Sequence, residues 1–226
     1  MDIELLETVE HETGPQPQWT VLLLHGLGDS GDGWAPLVPE LLRKDWPALR
    51  FVFPHAPIRP VTINGGMRMR AWYDIVDLED IDNRADEAGV LASAAQVEAL
   101  IARESERGVP RTRIILSGFS QGGAIAMAVA LSNPKPLGGL IALSTYLPMP
   151  DRLIGEDHPP HPLPPVFMAH GRHDAVLPHR AGELAADHLG KLGYDVEWHS
   201  YPMGHEACLE ELTAISDWLT LRFRGA

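Results

Sequence analysis

Three side chains far apart in this sequence have the types needed for acyl transfer: Ser120, Asp174 and His205. Ser120 is the centre of Gly118-Phe119-Ser120-Gln121-Gly122, a G-x-S-x-G pattern. A serine hydroxyl is a weak nucleophile and needs a histidine base, which a carboxylate orients. Serine, then aspartate, then histidine is one established chain order for such a triad. His205 would take the Ser120 proton and return it to the leaving group. Asp174 would hold the ring tautomer and stabilise the imidazolium. The motif alone arises by chance in a chain of 226 residues at odds on the order of 5–10%, so the elements around the serine must decide.

Those elements fit. Residues 114–116 form a β-branched apolar run of the kind that makes a buried strand, and the small and apolar residues from Gln121 suit a tightly packed helix. Strand, sharp turn and helix are the context that a nucleophile elbow requires. Further strands are expected at 20–24, 49–53, 138–143, 165–169 and 194–201, with an edge strand at 3–9. Helices are expected at 34–43 with Asp32 as N-cap, at 87–107, at 181–192 and at 206–222. Residues 55–74 and the proline-rich stretch 144–165 read as long connections, and 80–86 as acidic solvated surface. Alternating strands and helices predict one α/β domain over residues 1–226, its mostly parallel sheet covered on both faces. Open parallel sheets bind ligands at the carboxyl ends of their strands, and His25, Ser120, Asp174 and His205 all follow predicted strands.

Competing assignments are weaker. Asp151 and Asp157 sit in the proline-rich connection, and Asp195 precedes a strand, at the wrong sheet edge. His158, His161, His170 and His173 could suggest a metal by number, yet their spacing matches no zinc pattern, so no metal is expected. His25 reads as a structural hydrogen-bonding residue. The oxyanion of a tetrahedral intermediate would be met by the backbone amide of Gln121 and by one from the loop after His25, with Leu27 favoured and Gly28 also compatible. Trp72, in a long loop, fits either a binding surface or a core anchor.

Composition sets the outer bounds. The chain is 45% hydrophobic and 22% charged, with a net charge of −13. That charge argues against nucleic acid and anionic membranes as partners. No basic-apolar leader and no stretch long enough to span a bilayer is present, so no stable membrane insertion is expected. The single cysteine, Cys208, fits a reducing cytoplasm and reads as a small buried hydrophobe.

The segments His25 to Asp29 (HGLGD), Ala71 to Asp74 (AWYD), Gly118 to Ala124 (GFSQGGA), His170 to Pro178 (HGRHDAVLP) and Gly204 to Glu206 (GHE) together resemble the phospholipase/carboxylesterase family, in family order and over nearly the whole chain. The resemblance implies an α/β-hydrolase without a large cap, no cofactor, and hydrolysis of a small-molecule ester or thioester. It carries the triad onto Ser120, Asp174 and His205 and the oxyanion donors onto Leu27 and Gln121. It also matches Trp72 to an aromatic beside the acyl site. Leu177-Pro178 stands where Val-Pro is usual, and Thr145 where many relatives have Gly or Cys. The leading expectation is a carboxylesterase for short to medium acyl chains. The alternatives are an acyl-protein thioesterase or lysophospholipase, and a silent binding module, which should have lost a triad member or an elbow glycine. None is lost here.

Overall fold

Among the described residues, seven strands build one sheet in the order β1-β3-β2-β6-β7-β8-β9. The computed structural model describes residues 4–76, 86–133, 135–153 and 162–224. The sheet strands are β1 (Thr8–Glu12), β2 (Trp19–Leu24), β3 (Leu49–Pro54), β6 (Ile114–Phe119), β7 (Gly139–Leu143), β8 (Val166–Gly171) and β9 (Val196–Tyr201). Only β1 runs antiparallel. Between β3 and β6, the strands β4 (Ile58–Val61) and β5 (Met67–Arg70) pair only with each other. Helices are α1 (Gly31–Trp34), α2 (Val38–Leu41), α3 (Glu87–Glu106), α4 (Gln121–Ser132), α5 (Pro150–Leu153), α6 (His179–Lys191) and α7 (Leu209–Arg224).

The two-residue period of a strand splits the core into two layers. Ile114 and Leu116 of β6 join Leu22, Leu140 and Met168 under α3, α4 and α6. Ile115, between them, points the other way, with Val21, Ile141 and Phe167, onto Leu212, Ile215 and Trp218 of α7. Helix α4 is buried from Gln121 to Leu131, which explains its lack of a polar face. The register Leu24↔Gly118, Phe119↔Leu143 and Gly171↔Tyr201 brings the ends of the central strands to one edge.

Several boundaries differ from the sequence expectation. The edge strand lies at Thr8–Glu12, later than residues 3–9, because its partner β3 selects that register. The helix expected over 34–43 is three short pieces, since Pro36 and Pro39 each restart the backbone, and its N-cap is Ser30, with Asp32 in the first turn. The 55–74 loop contains the β4–β5 hairpin, whose turn uses Gly65 and Gly66 at φ 65° and 78°. Helix α7 begins at Leu209 because Glu206 to Cys208 belong to the loop carrying His205. Cys208 is half-buried there, and burial raises its thiol pKa, keeping it a thiol. Residues 80–85 and Asp157 lie outside the described residues.

Two buried acids behave in opposite ways. Glu104 on α3 is fully buried but accepts from Thr20 Oγ1 at 3.0 Å, Arg50 at 2.8 Å, and Arg103 and Arg107. It fastens α3 across β2 and β3. Glu211 on α7 is equally buried, and neither carboxylate oxygen has a partner among the described residues. Burial pushes its pKa up to about 8, from 4.5, so the folded chain keeps it protonated at neutral pH. The unfolded chain releases that proton above about 4.5 and the folded chain only above about 8, so this contribution to stability falls as pH rises between the two. Glu211→Gln should therefore gain over the wild type on going from about pH 5 to about pH 8, on the order of 3 kcal/mol. Urea midpoints at both pH values measure this, and an equal difference at each would contradict it.

Candidate active site

At the end of β6 the chain reverses into α4 through Ser120, held at φ 54°, ψ −120°. A non-glycine residue in that region is strained and persists only where its surroundings impose it. Here they do. Ser120 N–H donates to Leu143 O at 2.8 Å, and Ser120 O accepts from Ala124 N at 3.1 Å and Thr145 Oγ1 at 2.7 Å. The flanking glycines are required by contact: a Cβ on Gly118 would strike Gly122 O, and one on Gly122 would strike Leu24 O.

The turn presents Ser120 Oγ 2.9 Å from His205 Nε2, while His205 Nδ1 lies 2.7 Å from Asp174 Oδ2. These bonds span 85 and 31 residues of sequence. The other carboxylate oxygen, Asp174 Oδ1, accepts from the amides of Val176 and Leu177 at 2.9 and 2.8 Å. The Phe119 ring packs against the His205 ring at 4.9 Å between centroids. Of the competing acids, Asp195 sits at the opposite sheet edge, its carbonyl accepting from Val166 N where β8 begins.

His25 is fully buried and structural, as expected. Its Nε2 accepts from Ala56 N at 3.0 Å, so Nδ1 carries the proton and donates to Gly26 O at 2.6 Å. Burial lowers its pKa, in keeping with a neutral ring. The next residues form a turn closed by Asp29 N to Gly26 O, with Gly28 at φ 78°. Gly28 N–H is spent on Arg70 O at 2.8 Å, which leaves Leu27 as the favoured donor of that loop. Leu27, Gln121, Ser120 and His205 line one cleft of about 500 Å³, with apolar walls that include Trp34, Tyr73, Ile75 and Leu177.

Trp72 is the correction. It is fully buried, and its neighbours Tyr73 and Ile75 line the cleft instead. Its indole N–H donates to His25 O at 2.8 Å and its backbone N–H to Gln121 Oε1 at 2.8 Å. Gln121 Nε2 donates in turn to Tyr73 O at 2.8 Å. Trp72 is thus a bracket tying the loop after β2 to the start of α4. Of the two roles open to Trp72 in the sequence, this is the anchor, made by a side chain that reaches a carbonyl 47 residues away. Thr145, noted for its departure from the family pattern, likewise supports the elbow from below. Among the described residues no group of three His, Cys, Asp or Glu could hold a metal; His158 and His161 lie outside them.

A mostly parallel sheet with this elbow and this hydrogen-bonded trio defines an α/β-hydrolase. Residues 6–222 match the sequence profile described as Phospholipase/Carboxylesterase, and the chain belongs to that family. It is 44% identical over 213 residues to acyl-protein thioesterase 1 of Neurospora crassa, covering 90% of this chain and 86% of that protein. It is 39% identical to acyl-protein thioesterase 1 of Yarrowia lipolytica, covering 88% and 90%. Among solved structures, Arabidopsis thaliana SOBER1 superposes with a TM-score of 0.80 at 32% identity, over 90% of this chain and 98% of that one. Zea mays acyl-protein thioesterase 2 also gives 0.80, at 29% identity over 95% and 99%. The chain is an ester or thioester hydrolase.

Trp72→Phe keeps the ring and removes its N–H, leaving His25 O without that donor in a dry setting. A loss of about 1–3 kcal/mol in unfolding free energy is expected, measured by urea denaturation. An unchanged midpoint would show that the bracket contributes nothing.

Proposed function

We propose that Ser120, His205 and Asp174 are the catalytic triad of an acyl thioesterase that also accepts carboxylic esters. The Ser120–His205–Asp174 hydrogen-bond chain, whose Ser120 and His205 line an apolar cleft, is the observation that carries this reading. Resemblance ranked a carboxylesterase for short to medium chains first, and the relatives reverse that order. Those with about 40% identity are named acyl-protein thioesterases, which supports S-acylated proteins as the substrate class.

In the proposed reaction, Ser120 Oγ attacks the acyl carbonyl while His205 Nε2 takes the hydroxyl proton. The tetrahedral oxyanion is met by the amides of Leu27 and Gln121. The Gln121 amide is the first of α4, has no acceptor within the helix and lies at its positive end. Collapse expels the thiolate or alkoxide, which leaves with the proton from His205. Water then attacks the acyl-serine, again losing its proton to His205, and the fatty acid departs as Ser120 recovers its hydrogen. Asp174 faces the imidazolium throughout. No step requires a cofactor. A lone cysteine, which can form no internal disulfide, favours a reducing cytoplasm as the setting.

Ser120→Ala should lower kcat by about a thousandfold or more with the fold intact, because triad members act as a unit. Retention of wild-type turnover would overturn the assignment. Paired thioester and oxygen-ester substrates with acyl chains from about two to sixteen carbons test the substrate class, since each buried methylene adds about 0.8 kcal/mol of apolar transfer. Rising kcat/KM with chain length on thioesters is expected. Hydrolysis confined to short oxygen esters would return the chain to the carboxylesterase reading.

A further inference from the structure

His170, near the end of β8, is fully buried and does not line the cleft. Its Nε2 lies 3.0 Å from Leu177 O, to which it is hydrogen-bonded, and 3.2 Å from Asp174 Oδ2. A carbonyl and a carboxylate only accept, so the ring must carry its proton on Nε2. Nδ1 has no hydrogen-bond partner among the described residues and faces Gly182, where a Cβ would collide with it. A doubly protonated ring would have to donate into that dry contact. Burial lowers the pKa of His170, which keeps the ring neutral. The titratable groups facing it are Asp174 on the following loop, His179 from α6 and His205 from the β9–α7 loop.

We propose that His170 is a positioning residue for the triad, holding the Asp174 carboxylate at the angle His205 requires; this rests on the hydrolase reading above. The contacts close on themselves. Leu177 gives its amide to Asp174 Oδ1 and its carbonyl to the His170 N–H. Nε2 in turn brings the positive end of its N–H dipole to Oδ2, the oxygen that pairs with His205. One neutral ring therefore steadies the aspartate turn without adding a charge that would compete with the imidazolium. In the sequence His170 is one of several histidines whose spacing matches no zinc pattern, and spacing alone says nothing about an acceptor seven residues away.

The test compares His170→Leu, which lacks the donor, with His170→Gln, whose Nε2 can replace it. His170→Leu is expected to lose kcat by about 10- to 100-fold with KM little changed. The acid limb of its kcat/KM profile should move up, since Asp174 loses a donor dipole beside the oxygen that faces the imidazolium. His170→Gln should recover most of the rate and the original limb. A folded His170→Leu with wild-type kcat and pH profile, or a His170→Gln as impaired as the leucine variant, would overturn the proposal. If the leucine variant does not fold, ¹⁵N shifts of the wild-type ring decide. A neutral Nε2–H tautomer from about pH 6 to 8 supports the proposal, and an Nδ1–H or doubly protonated ring overturns it. Wild-type activity in Ser120→Ala would instead remove the hydrolase reading beneath it.

Discussion

The close approach of β6 and α4 at Ser120 is the constraint on which the rest of the site depends. A serine at φ 54° would relax if its neighbours allowed. Gly118 and Gly122 let two backbones come within a distance that any Cβ would prevent, and the hydrogen bonds to Leu143 and from Thr145 hold the turn closed. The strain has a use. It lifts Oγ clear of the sheet toward His205 and leaves the first amides of α4 facing the same space. A relaxed turn would bury the hydroxyl or rotate those amides away.

Around that turn the protein separates reaction from substrate. Ser120, His205 and Asp174 are held by short hydrogen bonds from the elements around them. Gln121 and Trp72 join the elbow to the loop after β2, while Leu177 and Val176 hold Asp174. Most of the cleft wall comes from other material, the loops and short helices around Leu27, Trp34, Tyr73 and Ile75, with Val176 and Leu177 shared between the two. Changes in those walls can retune the acyl group without disturbing the elbow, which accords with one family containing both esterases and thioesterases.

The elbow was legible because a β-branched run at 114–116 leads into a glycine-flanked serine and then a helix, although β6 runs on to Phe119, and Asp174 and His205 followed from their places after strands. The α/β class was legible from alternation alone. What escaped was set by contacts over long sequence distances. Trp72 fits a binding surface or a core anchor equally well until His25 O and Gln121 Oε1 are known to receive its donors. The β4–β5 hairpin was hidden because Pro60 and the Gly65-Gly66 turn erase strand alternation over four-residue strands. The 34–43 segment looked like one amphipathic helix until its prolines divided it. Choosing thioester over ester lay beyond the residues, since both leaving groups suit the same triad.

The most direct measurement of the central claim is labelling of the intact protein by a fluorophosphonate, followed by peptide mapping. Such a probe reacts only where a serine is deprotonated by an adjacent base and its phosphoryl oxygen is stabilised. A single adduct on Ser120 in the wild type, lost when His205 is replaced by alanine in a folded chain, is the predicted result. No adduct, or one on another residue, or labelling that survives loss of His205, would contradict Ser120 as an activated nucleophile.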